Sequence, residues 1–244
     1  MRLQLLATAS LRIERSALAA EFQQATGRPL RRTGVLPALA LLTCLRCLQR
    51  EAWAPGTPRN PLPTLLLWHT RSVIAEEALT LIRTMLDARE AVMPYDFLAG
   101  QPALMGVSLH AHFSELSQAI CLPWTDEVGA EIWQRSLLLA AHGLGEHTCG
   151  RVICLQLDRE AEHLGTHALS LALDVPGPQA LATLDVGTGA ASSATTSAAD
   201  FVPRLSDWLH AGGPTGLHLD SAAVAVRASR ACSHRADFPS ANRP

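Results

Sequence analysis

Two strand-like segments late in this chain lie too close together in sequence to run the same way. Arg151 to Leu157 and Ala168 to Leu173 are short and apolar, and only about nine residues around Glu160 to Gly165 separate them. A parallel pair needs a crossover of a dozen or more residues, usually a helix, so these two strands must be antiparallel. Upstream the chain alternates instead. Leu3 to Ala9 reads as a strand, Ser16 as the cap of a short helix with Leu18, Phe22 and Ala25 at helical spacing, and Leu65 to Trp68 as a fully apolar strand. Gly34 to Gln49 is apolar on nearly every face, which predicts a helix covered on most sides. Alternating strands and helices closed by an antiparallel pair predict an α/β layered mixed sheet.

Between these anchors, Ala75 to Asp87 has Ala78, Leu81, Ile82, Met85 and Leu86 on one stripe and Glu76 and Glu77 in its first turn, the pattern of an amphipathic helix packed on a sheet. A helical piece over Pro102 to Phe113 and a third strand over Gln118 to Leu122 follow. Thr125 and Asp126 are N-cap residues for a helix running to about Leu144, with Trp133, Leu137, Ala140, Ala141 and Leu144 on one face and Leu138 and Leu139 on the other. Residues 187–200 are nearly all Gly, Ala, Ser and Thr, the composition of a linker. The expected organisation is a domain over 1–186, a linker over 187–200, and a short helix with a poorly ordered tail over 201–244; Leu205, Trp208 and Leu209 form one side of that helix.

Composition removes several function classes. All twenty basic residues are arginine, with no lysine anywhere, so lysine Schiff-base and phosphate-loop chemistry are excluded. The net charge of −2 leaves no basic stripe for nucleic acid. The most apolar stretch, Val35 to Leu48, is broken by Pro37 and Arg46 and falls short of the ~20 residues of a membrane span. The first ten residues make a weak signal peptide, and six cysteines in 244 residues are too sparse for a disulfide framework, so the expected setting is cytoplasmic with reduced thiols.

The chemistry-bearing residues form no independent catalytic signature. Cys44 and Cys47 have the two-residue gap of zinc and redox sites, yet they lie in an apolar helical run with no companion pair, which favours plain core cysteines and no metal. His110 and His112 diverge on a helix, and Gly165 interrupts His163 and His167. Gly106-Val107-Ser108-Leu109-His110 lacks the second glycine of a nucleophile elbow, and His142 and His147 lack the spacing of a zinc protease. No cofactor is implied.

Several strings, taken in order, resemble the β-ketoacyl synthase-like N-terminal domain family of type II fatty-acid, polyketide and aryl-polyene pigment systems. Met93-Pro94-Tyr95-Asp96-Phe97, followed by Val107-Ser108-Leu109-His110-Ala111, looks like that family's Ser-Pro-x-x-Phe and Ser-Val-His-Asn-Ala stretch, with Met93 in place of serine. Arg31-Arg32, Trp68-His69-Thr70-Arg71, Arg151 to Leu155 and Ala168 to Leu173 sit where the family has an Arg-rich helix start, a strand end and its last two strands. The resemblance spans roughly Leu3 to Val175 and implies half of a thiolase-like fold, with an antiparallel last strand. Val186-Gly187-Thr188-Gly189 echoes a His-Gly-Thr-Gly string with valine for histidine, a chance match.

In active synthases a cysteine opens the central helix, where the helix dipole stabilises its thiolate. Here that position falls near Gly129 to Glu131; no cysteine is present, Cys121 comes about nine residues too early, and Asp126, Glu127 and Glu131 would raise a neighbouring thiol. The histidines that assist decarboxylation belong to a C-terminal half that a chain this short does not hold. The resemblance therefore implies no catalytic residues and a degenerate, chain-length-factor-like accessory protein, partnered as a homo-oligomer or with a full-length ketosynthase, and in reach of an acyl carrier protein. The alternative is an acyltransferase or condensing enzyme using an unrecognised nucleophile, Cys121 or His110 being the candidates.

Overall fold

The computed structural model describes residues 1–30, 34–53, 61–70, 79, 82–83, 85–86, 103–123, 132–160, 163–173, 179–188, 198–211, 216–220 and 224–230. Eight strands form one sheet: β1 (Arg2–Glu14), β2 (Thr64–Thr70), β3 (Leu116–Cys121), β4 (Arg151–Glu160), β5 (His163–Ala172), β6 (Ala182–Thr188), β7 (Gly216–Asp220) and β8 (Val224–Arg230), in the order β3-β2-β4-β5-β1-β6-β8-β7. β2 runs parallel to both β3 and β4. From β4 onward every pairing is antiparallel, beginning with β4 and β5, as the short connection between them requires. The helices are α1 (Leu18–Thr26), α2 (Val35–Gln49), α3 (Ala103–His110), α4 (Ile132–Gly145) and α5 (Ala198–His210).

Two apolar cores lie on opposite faces of the sheet. On one, α1, α2 and α3 cover Leu66, Trp68, Ile153, Leu155 and Leu157; on the other, α4 and α5 cover Leu65, Leu67, Val152, Cys154, Leu169 and Leu171. β1 serves both. A bulge between Leu5 and Ala7 inserts Leu6, so Leu3 and Leu5 belong to the α4 side whereas Ala7, Ala9, Leu11 and Ile13 belong to the α2 side. α2 is buried along most of its length, as its all-round apolar pattern predicts, and its start is set by Gly34 at φ 80°.

Several expectations need correction. Ser16 does not cap α1: it sits inside a 3₁₀ turn, Arg15–Ala17, and its hydroxyl turns back to Glu14 at 3.4 Å. Of the stripe expected to pack on a sheet over 75–87, Ile82, Met85 and Leu86 are helical but exposed, 74% in the case of Leu86, so these three side chains meet solvent in the single chain, and Ala78 and Leu81 lie outside the described residues. The expected linker and tail also hold more structure than a short helix: β6 runs to Thr188, and β7 and β8 pair beyond α5 and join the main sheet through β6. Ala182, Leu184 and Val186 are buried and alternate with half-buried Thr183 and Asp185, a period-2 pattern that small residues nearby conceal. Val226 and Ala228 in β8 complete the same core.

Candidate functional site

The start of α4 is the point where the sheet carries polar groups into an otherwise dry core. In β2 and β4, residues 65, 67 and 69 and residues 152, 154 and 156 point to the α4 face, and the parallel register sets His69 directly beside Gln156. Trp133, in the first turn of α4, lies over this pair. Its indole Nε1 donates to Gln156 Oε1 at 2.6 Å, and His69 meets it edge to face at 5.2 Å. Phe201 of α5 stacks on the other side of the indole at 5.6 Å with the rings 9° from parallel. Gln156 Nε2 in turn donates to Asp158 Oδ2, leading the network outward along β4.

Burial fixes the electrostatics of this cluster. His69, Trp133 and Phe201 have at most 1% of their surface exposed, and desolvation pulls the His69 imidazole down to about 3, so it is neutral at physiological pH. The adjacent Gln134 is buried too, and neither atom of its amide is hydrogen-bonded among the described residues. Nothing in the cluster is cationic, so it offers no counter-charge to a thiolate.

The sequence-level candidates are scattered. The nucleophile position at 129–131, the capping residues Thr125 and Asp126, Arg31-Arg32 and the Met93 to Phe97 string lie outside the described residues. Cys121 ends β3, and partial burial raises its thiol above the ordinary value. His110 is exposed at the end of α3, while His112 packs edge-on against Phe22 at 5.6 Å, on the opposite side of the sheet from Trp133. Cys44 and Cys47 are fully buried in α2; desolvation pushes Cys44 to about 12, and Cys47 rises as well while its Sγ donates to Ala7 O at 3.8 Å. His163 and His167 share one face of β5 with Gly165 between them. The His69, Trp133, Gln156 and Phe201 grouping escapes sequence reasoning because it joins three distant segments; a histidine closing the apolar run Leu65 to Trp68 is its one local sign.

A second buried polar cluster lies under the end of α2. Arg151 donates to Glu51 at 3.0 Å and to Glu115 at 2.8 Å, and Ser170 Oγ donates to Glu51 at 2.5 Å. Despite these partners, burial raises the Glu51 carboxyl above its ordinary value. The cluster ties β4, β5, the residues after α2 and the α3–β3 turn together, with the buried Arg151 Nε left without a hydrogen-bond partner among the described residues. Among the described residues no three His, Cys, Asp or Glu side chains gather as metal ligands, and no helix is long and apolar enough to cross a membrane.

No family profile and no curated protein sequence matches the chain. Solved structures do. A chain of the ketosynthase ApeO in complex with its chain length factor ApeC, from Xenorhabdus doucetiae, aligns over 94% of this chain and 100% of its own length at 14% identity, with a TM-score of 0.60. A chain of the type II polyketide complex AntDE:AntF, an acyl-carrier protein with its hexaketide-bound ketosynthase, aligns over 94% and 99% at 10% identity, with a TM-score of 0.62. The ishigamide ketosynthase/chain length factor aligns over 77% of this chain and 68% of its own at 11% identity, with a TM-score of 0.53. With the β3-β2-β4-β5-β1 order, the antiparallel β5 and the helical layers on both faces, this likeness establishes that the chain has the thiolase-like fold of ketosynthases and chain length factors.

Proposed function

We propose that the protein is a catalytically degenerate, chain-length-factor-like accessory subunit in a type II fatty-acid, polyketide or aryl-polyene pathway, working in the cytoplasm beside a full-length ketosynthase. The observation that carries this reading is the aromatic filling at the start of α4. A synthase that holds an acyl chain on a nucleophile at that helix end needs empty volume and a cationic or dipolar partner there. Here Trp133 and Phe201 occupy the volume, and the neutral His69 supplies no charge. The absence of cysteine from residues 129–131 agrees.

The same reading gives the single chain a reason to expose apolar surface. Ile120 on edge strand β3, and Leu138 and Leu139 on α4, are 43%, 38% and 45% exposed, and β3 leaves one row of backbone groups without a strand neighbour among the described residues. A ketosynthase subunit seated on this edge would cover both, and the pair could then engage an acyl carrier protein. Co-expression with a full-length ketosynthase of the same pathway tests the proposal. A stable heterodimer is expected, lost in Ile120→Asp or Leu138→Asp, together with background malonyl-dependent condensation by the isolated subunit. A monodisperse single chain that ignores the synthase, or one that extends an acyl primer and stops doing so as Cys121→Ala, overturns it.

A further inference from the structure

The outer half of β1 carries a second arrangement that the accessory role does not use. β6 pairs with β1 only from Arg2 to Leu5, whereas β1 continues to Glu14, so on the β6 side its later residues have no strand neighbour among those described. A cavity of about 690 Å³ opens there, lined by Thr8, Ser10, Arg50, Leu181, Leu209 and His210 among others. Past the Leu6 bulge, Thr8 and Ser10 face the α4 side of the sheet, in line with Gln156 and Asp158 of β4 and His167 of β5.

Ser10 and His167 are register partners, and Ser10 Oγ lies 2.8 Å from His167 Nδ1. Asp158 sits one step diagonally from His167, close enough for its charge to act on the ring, and is itself held by Gln156. Thr8 O points away from β5, where Arg50 Nη1 meets it at 3.1 Å, so strand alternation turns the N–H of Ser10 to that same open side. The Ser10 hydroxyl thus meets a guanidinium at the cavity, with a backbone donor turned to the same open side, and the imidazole and the carboxylate stand behind it along the sheet. We propose that Ser10 is the nucleophile of an acyl-hydrolase centre, with His167 as general base, Asp158 as the positioning residue and Arg50 as the anchor for an anionic group on an activated acyl ester or thioester.

The chemistry closes with water as co-reactant. Ser10 Oγ bonds to the acyl carbon as its proton passes to His167 Nδ1; the bond to the leaving oxygen or sulfur breaks, and the leaving group takes that proton. Water then attacks acyl-Ser10, His167 receives the water proton and returns it to Ser10 Oγ, and the carboxylic acid departs. Burial lowers the His167 imidazole more than Asp158 raises it, which keeps the base unprotonated at neutral pH. The centre needs neither the nucleophile position at the start of α4 nor a second subunit.

The test uses the full chain with p-nitrophenyl hemisuccinate, p-nitrophenyl propionate and a fluorophosphonate probe. The probe should add to Ser10, located by peptide mass spectrometry, and ester turnover should fall at least about tenfold in Ser10→Ala and in His167→Gln. Asp158→Asn should move the pH profile of kcat/KM, and Arg50→Gln should lower kcat/KM for the hemisuccinate ester while leaving the propionate ester unchanged. An adduct on any other residue, no adduct at all, or turnover that survives Ser10→Ala overturns the centre. Equal losses with both esters overturn the anchor. Because the labelling is read on the wild-type chain, a misfolded variant does not shield the proposal, and ketosynthase binding, read separately, stands or falls by itself.

Discussion

The two faces of the sheet share β1, β2, β4 and β5 and are covered to different extents. Over β2, β4, β5 and the outer part of β1 the cover on the α2 face is complete: helix residues from Leu36 to Cys47 are almost all buried, the thiols of Cys44 and Cys47 are driven upward by desolvation, and Arg151 is held between Glu51 and Glu115. On the α4 face the cover reaches only part of the way. It encloses Trp133, His69 and Phe201, then ends, and beyond it β4, β5 and β1 present Asp158, His167 and Ser10 at or near the surface. The covered region consists of groups that pair with one another, and the uncovered one leaves polar side chains within reach of solvent and small molecules.

Substitutions can break this contrast, and the largest effect belongs on the covered face. Arg151→Met leaves Glu51 buried beside Ser170 without its counter-charge, and unfolding titration should show a loss of about 3–5 kcal/mol. Next comes the covered part of the α4 face. Trp133→Phe keeps the stacking on Phe201 but strips the donor from Gln156, for about 1–3 kcal/mol by the same measurement, and should loosen Asp158 as well.

A third test reads His69 through pH. Its native imidazole lies near 3 against an ordinary 6.5, so above 6.5 both native and unfolded chains hold it neutral. As the pH falls from 6.5 toward 3 the unfolded chain takes up a proton that the native one refuses, and stability is lost at up to ~1.4 kcal/mol per pH unit. Urea titrations at pH 7 and pH 5 should show that slope in the wild type and a shallower one in His69→Gln. The smallest effect belongs to the exposed leucines: Leu138→Ser should stay within about 0.5 kcal/mol in the isolated chain, and a larger loss would mean that α4 is covered on that side.

Much of this fold was readable from spacing. The apolar runs of β2 and β4, the all-round apolar α2 and the antiparallel β5 follow from period and connection length. β1 shows where such reading stops. Leu3, Leu5, Ala7, Ala9, Leu11 and Ile13 alternate without a break, which by itself places them on one face, yet the added Leu6 divides them between two cores. Because the sheet is buried on both sides there, no polar residue marks the change. The two candidate sites were hidden for a related reason: Trp133 meets Gln156 and Ser10 meets His167 only through pairings between strands and layers, and neither has a local motif.

The position of β1 bears on how the chain reaches this state. It lies inside the sheet, but its neighbours β5 and β6 come far along the chain; the Ser10–His167 contact alone spans 157 residues. During synthesis at about 5–20 residues per second, an apolar strand of this length waits on the order of ten seconds or more before either partner exists. α1, α2 and β1 can gather early through nearer contacts, whereas the pairing of β1 with β5 and β6 closes over the longest loops. The segment most exposed to misassembly or to chaperone capture is therefore the one that, once placed, holds both cores together.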